Sequence, residues 1–462
     1  AAILSLREKG IYQDIAAKYF NYDVYGQYAE VSMEQTYNNE LSTTKIVRAL
    51  DAVDDGNGNA VCRSATGSNP VDANCVPWNL FTEGAVTQAQ LNYLYLPLFA
   101  RGTTDQKVVS GYVAGNLGEY GIQLPAADTG VDIVLGAEYR SENLEYSPDN
   151  GYQSGDGAGQ GGPIKGVKGG YDVTEFFTEI SIPLIENADF AKELVLDLGY
   201  RYSDYSTDEE TNTYKVALGW APSEDIKFRG SFNRAVRHAN IRELFRPQSL
   251  GLFDMDSDPC AGASPERSFS DCARTGVTQQ QYGNIADSPA GQYNELTGGN
   301  PELQPEESDT YSFGVVFTPS AIENLVVTLD YFDIEIENAI STYNNQFVVD
   351  QCIGNSNSSS NELCASTGAI LQADGRIVFN NQLRNIGSEK TSGIDLNLKY
   401  SFDALGLSWR AGLDTTYLDE YVVDTGAVVD YAGYITGGAG SYADIKSNFN
   451  LTVKGDNWDA TY

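Results

Sequence analysis

Residues 227–237 read KFRGSFNRAVR, and their side chains alternate between a mostly apolar set and a mostly polar set. Successive side chains of a β-strand point to opposite faces of the sheet, so this segment has one apolar face and one polar face. A polar loop of several tens of residues follows, and a second alternating segment begins near residue 309. The stretch therefore predicts two strands of a wall, joined by a long loop at the rim of that wall.

The same two-faced alternation recurs in other segments, most clearly in residues 194–203, 394–402 and 407–417. Asp, Arg and Lys on the second face of these segments are too costly for a dry sandwich core, but a water-filled lumen tolerates them. Aromatic residues near the predicted strand ends fit the two girdles of a membrane barrel. These residues are Tyr139, Tyr200, Tyr202, Trp220, Tyr400 and Tyr417.

The predicted connections alternate between short turns and long loops, which places all short turns at one end of the wall. Outer-membrane barrels have this arrangement, with short periplasmic turns and long extracellular loops. A soluble β-sandwich or propeller is the alternative, and long loops on only one side fit it poorly. About 13 antiparallel strands are predicted, near 23–38, 105–124, 130–141, 171–184, 191–205, 213–221, 226–237, 309–318, 324–337, 391–402, 407–419 and 442–453, with a stub ending at Tyr462.

Composition limits the possible functions of the 462-residue chain. Its 64 acidic and 29 basic residues give a net charge of −35, which disfavours nucleic-acid binding because phosphate contacts need Lys and Arg. No run of about 18 apolar residues predicts a transmembrane helix. His238 is the single histidine, and no nucleophile or metalloprotease motif occurs, so we predict that the chain is not an enzyme and holds no catalytic metal.

Six cysteines form three local pairs in polar, loop-like stretches. None has the C-x₂-C spacing of a metal site, so we expect three disulfide-closed loops in an oxidising compartment. Each closure stabilises the fold by roughly 3 kcal/mol in the chain-entropy description. Free surface thiols are the alternative. The expected pairs are Cys62 with Cys75, Cys260 with Cys272, and Cys352 with Cys364.

Several motifs resemble those of the barrel of TonB-dependent outer-membrane receptors, in the branch rich in carbohydrate and siderophore importers. One departure is His238-Ala239, where the family motif usually has Ala-Pro. The resemblance covers roughly residues 22–462. The segments that carry it are 228–237 (FRGSFNRAVR), 240–245 (NIRELF), 299–306 (GNPELQPE), 311–316 (YSFGVV), 329–334 (LDYFDI) and 391–395 (TSGID).

The resemblance implies an all-β fold, a transmembrane barrel of 22 strands with an N-terminal plug. We expect only part of that barrel here: residues 23–462 form the barrel, and the plug is not recognisable. Residues 1–22 are an unassigned lead-in, with part of a preceding strand as the alternative. The implied protein lies in outer-membrane lipid of a Gram-negative bacterium and imports a scarce bulky ligand, a small molecule or an oligosaccharide. The TonB complex acts through the plug, and a surface lipoprotein or an oligomer is a further partner. The alternative is a passive porin or surface adhesin.

Candidate ligand-binding residues lie where the 226–237 strand meets its loop and among loop aromatics. Arginines at this corner suit contact with an acidic ligand, with loop carboxylates or with the plug, whereas neutralisation of charge in a strongly acidic protein is the alternative. We expect Arg234, on the lipid side, to snorkel toward the interface. The candidates are Arg237, His238, Asn240, Arg242, Trp78, Phe253 and Tyr282.

Two acidic runs, residues 51–55 (DAVDD) and 254–258 (DMDSD), offer the oxygen ligands that Ca²⁺ prefers. A solvated acidic loop is the alternative for both runs. No other cofactor is expected.

Overall fold

A computed structural model of the chain describes residues 2–6, 20–354, 363–364, 369–371, 377–436 and 440–462. An antiparallel wall dominates it, in which 14 strands pair one after another in chain order. The wall strands are β1 (Ala2–Leu6), β2 (Phe20–Tyr37), β3 (Leu98–Asn116), β4 (Asp132–Pro148), β5 (Val167–Ala188), β6 (Ala191–Tyr205), β7 (Glu209–Ser223), β8 (Ile226–Arg237), β9 (Glu306–Phe317), β10 (Leu325–Ser341), β11 (Arg384–Ala404), β12 (Leu407–Asp424), β13 (Ile445–Lys454) and β14 (Asp459–Thr461).

The remaining elements are short and lie outside the wall path. The helices are α1 (Thr43–Leu50), α2 (Gln88–Leu94), α3 (Asn150–Ser154), α4 (Ile241–Phe245), α5 (Phe269–Cys272) and α6 (Asn345–Gly354). Single 3₁₀ turns span Arg63–Ala65, Gly118–Tyr120 and Ala273–Thr275. The short strands are Ala52–Asp54, Ala60–Cys62, Ser249–Asp254, Gln292–Thr297, Ala369–Leu371, Ile377–Asn380, Val428–Asp430, Ile435–Thr436 and Gly440–Ser441. Within the described ranges, no helix is long and apolar enough to cross a membrane.

The predicted strands are confirmed, although most of them begin or end at residues other than those predicted. The structure matches β6 and β8 at both ends and adds β1, which pairs with β2. The strand predicted at 105–124 is wrong at its end, because β3 stops at Asn116. Residues 118–120 form a 3₁₀ turn and Gly121 has a φ of 75°, so the chain leaves the ladder although its alternation continues.

The outer face of the wall is apolar and aromatic, as the alternation predicts. Phe228 stacks on Trp220 of the neighbouring strand at a centroid distance of 5.5 Å, and Phe232 packs against Tyr311 at 4.8 Å. Phe313 and Phe176 expose more than half of their surface there. An exposed aromatic band on one face of a sheet is the surface that a lipid-facing barrel presents.

The inner face carries polar and charged pairs between neighbouring strands. Arg201 contacts Glu175 at 3.1 Å, and the Ser181 hydroxyl donates to Asp197 at 2.6 Å. These groups form hydrogen bonds and ion pairs with one another on a face that water reaches, so their charges do not carry the cost of burial in an apolar core.

The connections divide the wall into two ends. Residues 189–190, 224–225, 318–324, 405–406 and 455–458 form short turns at one end, where the longer connection 117–131 is the exception. The long connections lie at the other end: 38–97, 149–166, 238–305 and the described parts of 342–383 and 425–444. One short connection, 206–208, also lies at that end. Among the residues described here, β1 and β14 are the edge strands and no ladder joins them, so this part of the chain is a partial barrel.

Candidate ligand-binding region

The two longest connections after β8 fold together into one unit, which we call the loop domain: the described parts of residues 238–305 and 342–383. Its sheet has the order Ser249–Asp254, Gln292–Thr297, Ile377–Asn380, Ala369–Leu371. The two middle strands come from different loops and pair in parallel. The loop domain is therefore a small folded body above the rim, built from two separate insertions.

A single hydrophobic core holds the loop domain together. Phe253 packs against Tyr293 at 5.9 Å and against Phe379 at 5.1 Å, and thereby joins the two loops. Such aromatic contacts contribute beyond the area they bury. The buried members are Phe253, Met255, Cys260, Ala261, Cys272, Val277, Ile285, Tyr293, Val348, Val349, Ile353 and Phe379.

A second loop unit joins residues 38–97 to residues 149–166. The Ser42 hydroxyl donates to Asp156 at 2.5 Å, and the Glu40 carboxylate accepts from the Gly159 amide and the Gln160 side chain. These hydrogen bonds lower the pKa of the Glu40 carboxyl against the opposing effect of burial, the largest single influence. The described parts of four long connections at this end of the wall thus fold as two units.

The corner after β8 positions α4 over the inner face of the wall. Asn240 caps the helix, because its side chain accepts from the amides of Arg242 and Glu243 while Glu243 reaches back to the Asn240 amide. Phe245 lies against Gly169 of β5, where an added Cβ would come within 2.2 Å of the ring. Only glycine at position 169 permits this close packing.

Two corner arginines are fully engaged by carboxylates. Arg237 forms a forked pair with Glu306 at 2.5 and 2.7 Å and also contacts Glu243 at 2.9 Å. Arg234, on the outer face, pairs with Asp309 at 2.7 and 2.6 Å and lies over the Tyr214 ring. Forked pairs of this kind fix geometry, so both arginines serve the wall and its corner.

His238 is buried beneath the corner as a neutral imidazole. Its Nδ1 donates to the Ala239 carbonyl, and its Nε2 accepts from the Thr207 hydroxyl, both at 2.8 Å. The ring stacks on Tyr205 at a centroid distance of 4.2 Å and contacts Tyr171. Burial lowers the pKa of His238 below its ordinary 6.5. The contacts of His238 are those of a rim residue that ties the 206–208 turn to α4.

Arg242 and Arg246 differ from the other corner arginines. Arg242 is exposed on α4, and Arg246 is half-buried at the end of that helix, where its Nη2 donates to the Thr297 hydroxyl at 2.7 Å. Arg246 interacts electrostatically with the Glu295 carboxylate, although no carboxylate within the described ranges accepts a hydrogen bond from Arg246 or Arg242. Burial lowers the pKa of Arg246.

With this geometry established, comparison with known proteins decides the family. The sequence model of the TonB dependent receptor-like β-barrel matches residues 11–462. The chain belongs to the TonB-dependent receptor family. No curated protein matches it. The resemblance drawn from the 228–237 and 299–306 motifs is therefore confirmed.

Solved structures of receptors are similar to this chain. A mutant ferric enterobactin receptor from Pseudomonas aeruginosa is 13% identical, with 99% of this chain and 54% of that chain covered and a TM-score of 0.50. The siderophore receptor PirA from Acinetobacter baumannii is 12% identical, with 98% and 55% covered and a TM-score of 0.49. This receptor chain spans about half the length of the structures that it matches.

Family membership identifies the cellular location of the wall. TonB-dependent receptors are outer-membrane proteins of Gram-negative bacteria and are not enzymes, so the predicted localisation and the absence of catalytic chemistry are confirmed. The long-loop end of the receptor, with the loop domain and the Ser42–Asp156 unit, is the extracellular end.

The loop aromatics of the receptor have different surroundings. Phe253 is buried in the loop-domain core, and Tyr282 packs at its edge with its hydroxyl on the Arg267 carbonyl. Trp78 is half-buried, and no described group accepts from its indole N–H. Phe81 is 98% exposed. Packing thus accounts for Phe253 and Tyr282, and ligand roles for all the candidate residues stay predictions.

All three predicted disulfides are present: Cys62–Cys75, Cys260–Cys272 and Cys352–Cys364. The last two lie in the loop domain, and the first lies in the second loop unit. Each restricts the unfolded chain more than the folded one, which favours ordered loops.

Carboxylates of the two acidic runs, 51–55 and 254–258, accept hydrogen bonds from nearby groups of the protein. Asp54 and Asp55 accept from the amides of their own hairpin. A hydrogen bond from the Asn59 side chain, with those of the Asn57 and Asn59 amides, lowers the pKa of Asp55. Asp258 is 3% exposed, accepts from the Cys260 amide, and has a pKa raised by burial. The described residues contain no group of three or more His, Cys, Asp or Glu suited to a metal ion. Ca²⁺ in these loops stays a prediction.

Proposed function

We propose that the chain is the barrel and extracellular part of an active importer, which captures a scarce, bulky ligand outside the cell and moves it inward with TonB-derived energy. One observation carries the proposal: two extracellular loops share one hydrophobic core and one sheet above a polar-lined wall. A passive pore has no need of a folded body over its entrance.

Order in the loops favours specific capture. A ligand that binds disordered loops must offset their ordering entropy, whereas a folded loop domain with two disulfides has already lost that freedom. The TonB complex acts through a plug domain in this account, and the plug supplies the floor of the binding region. Surface lipoproteins and oligomers are additional partners that the proposal permits.

We expect the ligand to be a glycan, a siderophore or a similarly bulky molecule. Glycans and metal chelates both fit a wide entrance lined by polar and aromatic groups. One solved structure with a similar fold is a mutant ferric enterobactin receptor, but at 13% sequence identity this similarity shows the fold alone and does not identify the ligand.

The experiment has two steps. The receptor is purified from native outer membranes, and its co-purifying ligand is identified by mass spectrometry. Uptake of that ligand is then measured in cells with and without the tonB gene, with receptor-deleted cells as the background. Uptake that requires both genes supports the proposal. Uptake that persists without tonB identifies a passive pore, and surface attachment without uptake identifies an adhesin.

A further inference from the structure

The outer face of the wall carries an apolar band, which we define on each strand as the run of outward-facing side chains that are apolar, aromatic or small. The band differs in length between strands. On β2, β5, β6, β11 and β12 it covers nine residues: 20–28, 174–182, 194–202, 394–402 and 409–417. On the consecutive strands β8, β9 and β10 it covers only seven: 226–232, 311–317 and 325–331.

Charged groups that cannot move away from the membrane end the bands of β8, β9 and β10. Arg234 forms a fork with Asp309 at 2.7 and 2.6 Å and lies over the Tyr214 ring. The Tyr331 hydroxyl donates to Asp333 at 3.1 Å, which holds that carboxylate beside the last ring of its own band. A free lysine or arginine can snorkel toward water, but a paired guanidinium or a short carboxylate cannot. The lipid headgroups therefore meet the wall at these residues.

Three other strands, β3, β4 and β7, have bands of the same length but end them differently. The next outward residues are Lys107, Ser141 and Asn212. Lys107 has a long side chain that can extend to the headgroup level. Ser141 and Asn212 are uncharged, and Asn212 accepts a hydrogen bond from the Tyr200 hydroxyl at 2.6 Å. A thicker bilayer at these strands places no fixed charge in hydrocarbon.

The height of the short bands is small for a bilayer of ordinary thickness. At about 3.3 Å per residue, a seven-residue band spans roughly 20 Å of strand, which a tilt of about 40° reduces to roughly 15 Å of height. A nine-residue band spans roughly 26 Å of strand and roughly 20 Å of height. A bilayer accommodates a short apolar surface by thinning beside it. The bilayer at β8–β10 is therefore thinner by about 5 Å than at β6, β11 and β12.

The outward residues above the short bands also need water. Glu307 of β9 lies directly opposite Glu337 of β10. Like charges in this position destabilise a sheet, and water reduces their repulsion. The same strand ends carry the loop domain, since residues 238–305 leave from β8 and residues 342–383 leave from β10. The short bands thus lie below the loop domain, which stands on strand ends in water.

We propose that β8–β10 form a contact surface for a locally thinned bilayer, in which lipids of short hydrophobic length pack against the wall below the loop domain. The occupant is lipid because Tyr311, Phe313 and Phe317, each more than two-fifths exposed, continue the aromatic outer face of the neighbouring strands. This inference rests on the outer-membrane location of the family and not on the imported ligand or on energy coupling.

The test reconstitutes the full-length receptor into phosphatidylcholine vesicles of increasing chain length: dimyristoleoyl, dipalmitoleoyl, dioleoyl, dieicosenoyl and dierucoyl. The unfolding temperature in each lipid is read from heat-modifiable gel migration, which also shows that each variant folds. Two variants lengthen the band: Arg234→Leu with Asp309→Leu on β8 and β9, and Asp333→Leu on β10. The control, Glu34→Leu with Arg101→Leu, removes an exposed outward ion pair that lies well above the β2 band.

The wild type and the control should have their highest unfolding temperature in the same lipid, one shorter than dioleoyl. Each lengthened variant should be most stable in a longer lipid than the wild type, because its band matches a thicker layer of hydrocarbon. Loss of an ion pair lowers the unfolding temperature in every lipid, so the lipid of greatest stability reports the match in thickness.

Three results overturn the inference. The wild type is most stable in dioleoyl or a longer lipid, a folded lengthened variant keeps the wild-type lipid of greatest stability, or the control shifts as far as the lengthened variants do. The second result is the one expected if another protein, rather than lipid, covers the charged groups of β8–β10.

Discussion

Arg229 and Asp330 form a forked ion pair across an intervening strand, with Nε–Oδ1 at 2.8 Å and Nη2–Oδ2 at 2.6 Å. Arg229 belongs to β8 and Asp330 to β10, and Gly314 of β9 lies opposite both in the ladder. A Cβ at Gly314 would lie 1.8 Å from Asp330 Oδ1 and 3.0 Å from Arg229 Nε. The missing side chain is what allows the pair to span three strands on the inner face.

Gly314→Ala should separate this pair and weaken the wall by about 1–2 kcal/mol, the contribution of hydrogen bonds between charged groups at a half-exposed site. The readout is the temperature at which the barrel unfolds in a heat-modifiable gel. Gly199→Ala is the matched control, because its Cβ would lie 3.7 Å from Lys215 Cβ, an ordinary contact. Equal unfolding temperatures for the two variants would contradict the role of Gly314.

Phe253→Ala should loosen both loops of the loop domain at once, because the ring joins Tyr293 to Phe379. Loss of a buried phenylalanine destabilises a core by about 3–5 kcal/mol. Limited proteolysis of the folded receptor should show new cuts in 238–305 and in 342–383. Phe81→Ala, which removes a 98% exposed ring, should leave the cutting pattern unchanged. Cuts confined to one loop would mean that the loops fold separately.

Asp258→Asn should stabilise the loop domain at neutral pH. Burial raises the pKa of Asp258 above its ordinary 3.8, and nearby Asp287 adds to the effect. As pH rises from 3.8, the unfolded chain ionises first, so stability falls until the raised pKa is passed and then stays low. Asn keeps the acceptor for the Cys260 amide without the charge. Amide exchange around Cys260, corrected for intrinsic rates, should be slower in the variant by about fivefold at pH 7 and equal at pH 3.5. A variant that is no slower at pH 7 would refute the buried-charge argument.

The corner around His238 should loosen on acidification. Burial lowers the pKa of this imidazole, so stability is complete above the ordinary 6.5 and falls as pH drops from 6.5 toward the lowered value. Exchange of the α4 amides, corrected for intrinsic rates, should therefore increase between pH 7 and pH 5. His238→Phe keeps the stacking on Tyr205 and removes the titrating group, so its corrected exchange should not change with pH. An identical pH response in the variant would show that another group titrates.

The wall was predictable because strand alternation and turn residues are local. Residues 191–205 and 226–237 are bounded by short polar turns, and both strands were placed at their observed ends. The error at 117–124 arose because the alternation of residue types continued after the chain had left the ladder at Gly118–Tyr120. The strand ends where its hydrogen bonds to β4 end, at Asn116, and the alternation of residue types does not show where those bonds stop.

The loop domain and the site were less accessible from the sequence. An aromatic in a polar loop, such as Phe253, suggests ligand stacking, but its burial depends on Phe379 from a separate loop. The division of the corner arginines likewise depends on register, since Arg234 meets Asp309 only when β8 pairs with β9.

The most direct test of energy-coupled import is the initial rate of uptake of the co-purified ligand as its concentration is raised, with and without a protonophore. The account predicts that the rate saturates at low ligand concentration and falls to the receptor-deleted level when the protonophore collapses the inner-membrane gradient. A rate that rises linearly with concentration and is unaffected by the protonophore would contradict it.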